Sequence, residues 1–446
     1  MKRISRRNFL VSGAAAVAAP AVAVAQGAGA LDVIIVGAGA AGIAAARRLT
    51  AAGRRCIVLE SSVRIGGRCF SEIETFGLPY DRGAHAIHFS EINPVAKLAR
   101  SLGMEVYRAG AGHRLRIGQR FAREGELEAY FGALVRARRA IADAGSEERD
   151  VAASRALPKN LGEWRQTVEF VLGPARCGKA LDQVSAQDLA HAGDREADGY
   201  CRQGYGAILA RLAEGLPIRL ATPATRIATW RGVSYVETPK GTLQARAVIV
   251  TVSTAVLAAG KIRFDPALPK AHLEAASRLS LGTYERVALE LPGNPLQLPA
   301  DELVFAKTSD ARTAALLANV AGTPLCFVDV AGKLGGELAA QGEGAMRAFA
   351  VDWLVGLFGA DVEKAVRRSH ATQWGKEPGV LGAFSVAAPN AQAARMTLTE
   401  PVRDRIFFSG EATHETLWGT VGGAWEAGER AAADVLDQLG GRARRR

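Results

Sequence analysis

The stretch DVIIVGAGAAG, residues 32–42, decides the fold class of this chain. Its β-branched run predicts a buried parallel strand, and its Gly-x-Gly-x-x-Gly spacing leads directly into an Ala-rich helix. Gly37 permits the tight turn, Gly39 lets the backbone approach a pyrophosphate, and Gly42 lets the helix pack closely on the strand. The N-terminus of such a helix attracts phosphate groups. The spacing therefore predicts a dinucleotide site rather than a glycine turn without a ligand.

The residues after this helix complete the pattern. A second strand is predicted at residues 55–59 and ends at Glu60, which lies 18 residues after Gly42. A carboxylate at that point can accept hydrogen bonds from the hydroxyls of a ribose. Ala40 and Ala41, at the start of the helix, are predicted to contact the same cofactor.

A paired glycine followed by arginine comes next, in RIGGR, residues 64–68. Gly67 permits close backbone approach, and the guanidinium of Arg68 can clamp a second phosphate. Nicotinamide sites do not need this feature. At this point the chain resembles the flavin-dependent amine oxidases, the family that contains monoamine and polyamine oxidases and whose FAD site includes the same Gly-Gly-Arg.

Further blocks similar to this family follow in order along the chain. The loop DRGAHAIH, residues 81–88, is similar to the segment under the flavin ring, so the resemblance implies Gly83 and Ala84 as cofactor contacts. The strand predicted at residues 218–227 is similar to the one whose backbone meets the adenosine end, which implies Ala224. The remaining blocks are QGYG (203–206), AVIVTV (247–252), IRFDP (262–266), IFFSGEAT (406–413) and GTVGGA (419–424).

The C-terminal blocks are implied to contact the flavin half of the cofactor. Glu411 follows a predicted strand and can accept hydrogen bonds from the ribityl chain. The helix that begins near Thr420 and Val421 points backbone N–H groups at the flavin edge where reduction accumulates negative charge. Such a helix end tunes the cofactor, whereas FAD itself supplies the redox chemistry.

The resemblance implies an α/β fold in which a Rossmann-type, glutathione-reductase-like FAD-binding domain is interleaved with an α+β substrate domain. A length of 446 residues is enough for two or three domains. The expected boundaries are 1–29 for a signal peptide, 30–90, 200–270 and 395–440 for the FAD-binding domain, 91–199 and 271–394 for the substrate domain, and 441–446 for a basic tail.

Periodicity predicts several elements inside the two parts of the substrate domain. Residues 126–144, 161–172 and 346–358 are predicted to be helical, and residues 286–291 and 325–330 are predicted strands. The interleaving of the domains rests on the resemblance, because periodicity alone does not show it.

The resemblance implies aromatic residues on the substrate side. Trp374 matches the family's tryptophan near the flavin, with a purely structural core residue as the alternative. Phe384 takes the place of one wall of the aromatic cage that holds the amine. The opposite wall of monoamine oxidases falls on Thr420, so the adjacent Trp418 is the candidate substitute. Ala383 stands where some monoamine oxidases have the cysteine that bonds the flavin, which implies non-covalent FAD.

Three further positions bear on the chemistry. His88 matches a loop histidine beside the substrate, with a structural histidine as the alternative. Arg286 takes the place of the lysine that holds a water at flavin N5 and assists reaction with oxygen. Because arginine places its donors differently, this departure brings in a dehydrogenase as an alternative to an oxidase. Ala86 stands where amino-acid oxidases carry an arginine for the substrate carboxylate, which disfavours an α-amino acid.

These residues together predict an FAD-dependent amine oxidase or amine dehydrogenase. Hydride transfer from the substrate to flavin N5 would give an imine, which water hydrolyses to an aldehyde or ketone. The predicted catalytic residues are Arg286, Trp374, Phe384, Trp418 and His88. Three alternatives stay open: an FAD-dependent desaturase or dehydrogenase of a non-amine, a non-catalytic FAD-binding accessory protein, and a nicotinamide-linked enzyme.

The N-terminus has the pattern of an export signal. SRRNFL, residues 5–10, precedes an Ala-rich apolar run that ends in a small-residue cleavage site near residue 25. The adjacent arginines predict twin-arginine export of an already folded protein to the periplasm. As a helix the run would reach roughly 22 Å, short of a bilayer core of ~30 Å, so an uncleaved anchor is the less favoured alternative. The expected partners are an amine, O2 or a periplasmic electron carrier as acceptor, and the twin-arginine translocation machinery.

Composition excludes other classes of protein. The first 30 and last nine residues contribute eight of the eleven net positive charges, so the body of the chain does not match a nucleic-acid-binding surface. Hydrophobic residues make up 48% and charged residues 23%, as in globular proteins. The five cysteines lack metal-ligand spacing, and no metal site is predicted. A Cys177–Cys201 disulfide is an alternative to five buried thiols.

Overall fold

The computed structural model describes residues 31–110, 112–192 and 197–440. The predicted signal peptide (1–29) and basic tail (441–446) lie outside these residues. The strands in chain order are β1 (Leu31–Val36), β2 (Cys56–Leu59), β3 (Ser71–Glu72), β4 (Tyr80–Asp81), β5 (Ile87–His88), β6 (Val106–Arg108), β7 (Arg114–Ile117), β8 (Arg120–Phe121), β9 (Ala197–Cys201), β10 (Ile218–Arg219), β11 (Arg226–Trp230), β12 (Val233–Thr238), β13 (Gly241–Val250), β14 (Arg263–Asp265), β15 (Tyr284–Glu290), β16 (Glu302–Ala306), β17 (Ala315–Ala318), β18 (Leu325–Ala331), β19 (Arg368–Ala371) and β20 (Ile406–Phe408).

Helices connect and cover these strands. The α-helices in chain order are α1 (Ala40–Ala51), α2 (Pro94–Ser101), α3 (Glu124–Gly145), α4 (Ala153–Ala156), α5 (Arg165–Leu172), α6 (Pro174–Cys177), α7 (Ala186–His191), α8 (Tyr205–Leu212), α9 (Thr254–Ala258), α10 (Lys270–Arg278), α11 (Gly332–Gln341), α12 (Glu343–Phe358), α13 (Asp361–Ala365), α14 (Ala394–Thr397) and α15 (Val421–Leu439). Short 3-10 segments lie at Lys159–Trp164, Leu181–Gln183, Val320–Gly322, Trp374–Lys376 and Glu411–Thr413.

The first sheet is built around the motif strand β1. Its order is β10-β2-β1-β13-β12-β11-β14, and β20 pairs in parallel with the second half of β13. The strands β10, β2, β1 and β13 are parallel neighbours. Alternate residues of these strands face opposite sides, so both faces need cover. Helices α1 and α15 cover one face, and α9 and α10 pack against the other. Parallel strands bring their carboxyl ends, and the loops that follow them, to one edge.

The second sheet has the order β19-β15-β18-β17-β16-β7-β8 and is mostly antiparallel. One face, with Val287 and Val328, packs on helices α11 and α12. The other face, with Ala288 and Phe327, packs on residues near β4. A third, smaller sheet has the order β5-β9-β6. Residues near β4 therefore contact the second sheet directly.

Most predicted elements are confirmed. The predicted helices at 126–144 and 346–358 lie within α3 and α12, and the strands at 286–291 and 325–330 overlap β15 and β18. The helix predicted at 161–172 is α5 preceded by a 3-10 segment.

The single strand predicted at residues 218–227 is wrong. The structure forms two strands there: β10 is at one edge of the first sheet, and β11 lies next to the strand at the opposite edge. Between them Ala221 has a φ of 46°, and Pro223 lacks the N–H that a strand interior needs. The segment therefore crosses the end of the sheet instead of continuing along it.

Three further findings concern the described residues. The structure shows no disulfide, and all five cysteines are buried, so the Cys177–Cys201 alternative is wrong. Within residues 31–110, 112–192 and 197–440, no cluster of three or more metal-binding side chains forms. Over the same residues, no helix combines the length and apolarity needed to cross a bilayer.

Candidate active site

The glycine loop after β1 leaves no room for side chains at two positions. A Cβ at Gly42 would lie 1.9 Å from the carbonyl oxygen of Gly37, and Gly37 itself has a φ of 107°. The hydroxyl of Thr251 donates to the carbonyl oxygens of Val36 and Gly37 and closes the turn from the neighbouring strand. The loop geometry therefore requires the first and third glycines of the motif.

The second glycine of the motif has a different environment. A Cβ at Gly39 would have a single protein atom within 4 Å, the carbonyl oxygen of Gly66 at 4.0 Å. Helix α1 begins directly after Gly39 with Ala40 and Ala41, and it has neither a side-chain cap nor an acidic residue in its first turn. Its first N–H groups thus remain available to an anion beside an open backbone surface, which suits a pyrophosphate.

The two predicted phosphate loops lie side by side. Gly39 and Gly66 form an isolated parallel bridge, and a Cβ at Gly67 would lie 3.5 Å from the Cα of Gly39. Gly67 has a φ of 57°, a backbone conformation that favours glycine. The structure thus brings together two motifs that the sequence separates.

Glu60 closes the same loop. Its buried carboxylate accepts hydrogen bonds from the backbone N–H of Ala38 at 2.8 Å, the N–H of Ser62 at 2.8 Å and the hydroxyl of Ser61 at 3.2 Å. These bonds join the ends of β1 and β2. The predicted contact of Glu60 with a ribose stays a prediction.

The loop after β4 packs against the Gly-Gly-Arg segment. The N–H of Ala84 donates to the carbonyl oxygen of Arg68 at 3.0 Å, and a Cβ at Gly83 would lie 1.9 Å from that same oxygen. Gly83 also meets the indole of Trp374, whose Nε1 donates to the carbonyl oxygen of Arg82 at 3.1 Å. The structure therefore places Trp374 against the loop predicted to underlie the flavin.

Glu285 fixes the backbone that carries Trp374. Its buried carboxylate accepts from the N–H of Trp374 at 2.9 Å, the N–H of Gly375 at 3.2 Å and the hydroxyl of Thr372 at 2.7 Å. Burial raises the pKa of Glu285 more than these hydrogen bonds lower it. The residue is a buried acid whose role the sequence analysis missed.

Arg286 forms a buried ion pair with Asp329, directly opposite it on β18. Its Nε and Nη2 donate to the two carboxylate oxygens at 2.9 and 3.0 Å. Its Nη1 donates to the carbonyl oxygens of Asp81 at 2.8 Å and Gly83 at 3.1 Å. Burial lowers the pKa of Arg286, but Asp329 outweighs that effect and holds it above the ordinary value. Arg286 therefore anchors the loop rather than presenting a mobile cation.

Phe384 keeps accessible surface, as a cavity wall requires. Its ring centroid lies 6.0 Å from that of Tyr284, at an interplanar angle of 45°. A Cβ at Gly419 would touch the Phe384 side chain at 3.4 Å. Ala383, beside it, has no sulfur to bond a flavin.

The carboxylate of Glu411 is fully occupied by protein donors. Arg68 donates to it at 2.7 Å, and the N–H and hydroxyl of Ser385 donate at 3.1 and 2.7 Å. The N–H of Gly419 donates at 2.9 Å. Burial works to raise the pKa of Glu411, but Arg68, Ser385 and Arg395 outweigh it and hold the pKa below its ordinary value. Glu411 organises the loops around it, and its predicted contact with a ribityl chain stays a prediction.

Trp418 is completely buried, so the prediction that it forms a cavity wall is wrong. Its side chain is 0% exposed, and its Nε1 donates to the carbonyl oxygen of Asp188 at 3.2 Å. The guanidinium of Arg395 lies 4.6 Å from the ring centroid. The physical reason is that the indole packs into the core formed by the helices α3, α5 and α7.

The remaining predicted residues have mainly backbone or packing roles in the structure. Thr420 caps α15, because its hydroxyl accepts from the N–H of Gly423 at 2.9 Å, and Val421 begins that helix. Ala224 is buried in the crossing segment between β10 and β11. His88, in β5, is half-buried, and its carbonyl oxygen accepts from Asn93.

Sequence reasoning missed four other residues of this region, and two of them carried a signal. Asp329 is the single charged residue in the strand sequence LCFVDVA, and an acid inside an apolar strand indicates a buried partner. Glu285 similarly lies within a strand whose other residues are mostly apolar. Asp188 and Arg395 lie in short helices, where nothing in the local pattern indicated burial.

Comparison with known proteins defines the class. The family model for flavin-containing amine oxidoreductases matches residues 40–436, and the chain belongs to this family. FAD as a non-covalent cofactor is thereby confirmed, and the glycine loops and uncapped α1 fit it.

Two curated relatives and two solved structures illustrate the similarity. Mouse lysine-specific histone demethylase 1B is 28% identical over 91% of this chain and 52% of its own length. Arabidopsis thaliana probable polyamine oxidase 4 is 29% identical over 92% of this chain and 88% of its own. The structure of cyclohexylamine oxidase from Brevibacterium oxydans has a TM-score of 0.79 at 22% identity, covering 92% of this chain and 100% of that one. Putrescine oxidase bound to putrescine gives 0.77 at 20%, covering 91% and 99%.

These comparisons also have a limit in length. The chain spans about half the length of the histone demethylases it matches. At identities of 20–22%, the solved structures show the fold alone, which is a mixed α/β fold shared with flavin amine oxidases.

Proposed function

We propose that this protein oxidises an amine with FAD as the electron acceptor, giving an imine that water hydrolyses to an aldehyde or ketone. The observation that carries the proposal is the packing of Trp374 and Arg286 on the Gly83 loop, which itself packs on the Gly-Gly-Arg segment. The same arrangement brings an aromatic residue and the predicted cofactor loops to one place.

The residues of the chain would have the following roles. The N-terminus of α1 and the backbone at Gly39 hold the diphosphate. Trp374 and Phe384 exclude water and offer aromatic faces to the amine. When bound, FAD supplies the two-electron acceptor for a hydride from the carbon next to nitrogen. No side-chain base is needed, because the hydride leaves with both electrons.

The proposal extends to the domains. Strands from 30–90, 200–270 and 395–440 make up the first sheet, and strands from 91–199 and 271–394 make up the second. This membership supports an FAD-binding domain and a substrate domain interleaved at the boundaries expected from the sequence.

The proposed electron acceptor is chosen from the hydrogen bonds that Arg286 makes. All the hydrogen bonds of its guanidinium described above go to protein oxygens, so it is poorly placed to hold a water for reaction with oxygen. A periplasmic electron carrier is therefore proposed as the acceptor in preference to O2. Mixing the amine-reduced protein with air or with a c-type cytochrome tests this, and faster reoxidation by air would contradict it.

Export is proposed from the N-terminal sequence. The adjacent arginines and the Ala-rich run support twin-arginine transport to the periplasm after FAD has been bound. Replacing Arg6 and Arg7 by Lys should retain the protein in the cytoplasm, which cell fractionation measures. Unchanged export would overturn this part of the proposal.

The proposed activity is tested by anaerobic mixing of the purified flavoprotein with a panel of amines. We expect cyclic, aryl-alkyl or polyamine substrates to bleach the flavin absorbance and to yield an aldehyde or ketone. Trp374→Phe should slow this reduction, whereas Trp230→Phe, at an exposed indole in β11, should not. If dithionite reduces the flavin and no amine does, the proposal is wrong.

A further inference from the structure

Tyr284 begins β15 and differs from the rest of that strand. Residues 285–290 are all buried, whereas Tyr284 keeps accessible surface. Accessible surface is what a side chain needs in order to contact a substrate. Tyr284 and Arg286 point to the same face of the sheet, because side chains alternate along a strand. That face is the one that meets the Gly83 loop.

The hydroxyl of Tyr284 is held by the same acid that holds Arg286. It donates to Oδ2 of Asp329 at 2.9 Å. A phenol has one hydrogen to donate, so the bond to Asp329 uses it, and the lone pairs of the oxygen remain as acceptors. Burial and the charge of Asp329 raise the pKa of Tyr284, which keeps the phenol protonated. The group is thus fixed as an acceptor.

The ring of Tyr284 adjoins the predicted cage wall. Its centroid lies 6.0 Å from that of Phe384, and the tilt of 45° makes the two rings neighbouring faces of one corner. Trp418 is sealed in the core, and Thr420 uses its hydroxyl to cap α15. The aromatic partner of Phe384 in this chain is therefore Tyr284, which lies between Phe384 and the Arg286 pair that anchors the Gly83 loop.

We propose that Tyr284 is a substrate-contacting specificity residue: its ring extends the Phe384 wall, and its oxygen, oriented by Asp329, accepts a hydrogen bond from an N–H of the amine. This inference rests on the proposed amine oxidation and names how the nitrogen is recognised. A nitrogen without hydrogen, as in a trimethylammonium group, gains only the aromatic contact. The site therefore prefers primary or secondary amines over their quaternary analogues.

The test compares Tyr284→Phe with the unchanged protein and with Tyr235→Phe, a half-buried tyrosine in β12 of the first sheet. The rate of anaerobic flavin reduction is measured against the concentration of a primary amine, and its trimethylammonium analogue is measured as a competitive inhibitor. Loss of one neutral hydrogen bond should raise the half-saturating amine concentration roughly 3–10-fold in Tyr284→Phe. Binding of the trimethylammonium analogue and the results for Tyr235→Phe should stay unchanged.

A second variant separates the ring from the hydroxyl. Tyr284→Leu should also weaken the trimethylammonium analogue, because the aromatic face is lost. Equal weakening of both ligands by Tyr284→Phe would indicate a purely structural role and overturn the inference, as would unchanged amine binding. These results leave the proposed function intact, since the flavin is still reduced by the amine. If no amine reduces the unchanged protein, the proposed function fails first and the inference fails with it.

Discussion

Two buried arginine–aspartate pairs, Arg395–Asp188 and Arg286–Asp329, show how this molecule uses the same chemistry in two ways. Arg395 and Asp188 are both 0% exposed, and Arg395 donates to both carboxylate oxygens at 2.6 and 2.7 Å. Arg286 and Asp329 retain side-chain exposures of 9% and 10%. The first pair is completely buried, whereas the second has the partly accessible Tyr284 as a neighbour.

The Arg395–Asp188 pair belongs to a larger network of hydrogen-bonded side chains. Arg395 also donates to the hydroxyl of Ser385 at 3.0 Å, and Ser385 in turn donates to Glu411, which binds Arg68. This network of hydrogen bonds joins α7 to the Gly-Gly-Arg segment and to Ser385, the residue after Phe384. Asp188 and Arg395 are completely buried, so the expected consequence of removing either one is instability rather than altered chemistry.

We expect the largest loss of stability from breaking the completely buried Arg395–Asp188 pair. Asp188→Asn leaves the buried guanidinium of Arg395 without its counter-charge, and we expect a loss of about 3–5 kcal/mol in the free energy of unfolding. Denaturant titration measures it. Asp361→Asn, which breaks an exposed pair with Lys364, is the matched control and should change stability little. A small effect of Asp188→Asn would remove the distinction between the two pairs.

Breaking the Arg286–Asp329 pair should cost the protein less stability and more activity. In Asp329→Asn the side chain of Arg286 is 9% exposed, so solvent partly screens its uncompensated charge, and we expect a loss of about 1–3 kcal/mol. Amine-dependent flavin reduction should fall further than stability, because Tyr284 loses its orienting acceptor. Parallel measurement of unfolding and single-turnover reduction checks this. A variant as unstable as Asp188→Asn with normal reduction would contradict it.

The variant Trp418→Phe tests whether the region around the Arg395–Asp188 pair is isolated from the substrate. Trp418→Phe removes the hydrogen bond to the carbonyl oxygen of Asp188 and leaves a small cavity, so we expect a loss of about 1–2 kcal/mol. The half-saturating concentration of any amine that reduces the flavin should not change. A shifted amine dependence would show that the indole reaches the substrate after all.

The smallest expected effect is a difference in pH dependence between two buried glutamates. The folded-state pKa of Glu411 is lowered, so its contribution to stability is present above the ordinary glutamate pKa of 4.5 and is lost as the pH falls through the folded value. The folded-state pKa of Glu285 is raised, so its contribution is present below 4.5 and is lost as the pH rises through the folded value.

Unfolding titrations of Glu411→Gln and Glu285→Gln across acid and neutral pH measure this difference. The stability advantage of the unchanged protein over Glu411→Gln should shrink as the pH falls. Its stability relative to Glu285→Gln should fall as the pH rises. Slopes of the same sign would show that one of the two environments has been assigned wrongly.

Local patterns were enough for the motif and for most of the strands predicted in the first sheet. The β-branched run and the glycine spacing at residues 32–42 predict β1 and α1 because strand burial and helix–strand packing act within a few residues. The exception is the segment at 218–227, where the chain crosses from one end of the sheet to the other. The destination of that crossing depends on which strands are neighbours, and the local sequence does not contain this information.

The site residues divide in the same way. Trp374, Phe384 and Arg286 were found by resemblance, but the partners that hold them were not. Glu285 accepts from the backbone of Trp374, 89 residues away, and Asp188 binds Arg395 across 207 residues. Contacts of this separation arise from the packing of sheets and helices, so a single sequence gives little indication of them.

The sequence by itself determined the cofactor class and the glycine motif with its strand and helix, because close backbone approach, strand burial and helix termini are properties of neighbouring residues. The tertiary structure alone decided that Trp418 is completely buried, that Arg286 binds Asp329 and the Gly83 loop, and that Tyr284 keeps accessible surface beside Phe384. These outcomes depend on which side of an element faces the solvent-free interior, and that is settled when separate elements compete to bury their apolar and charged groups together.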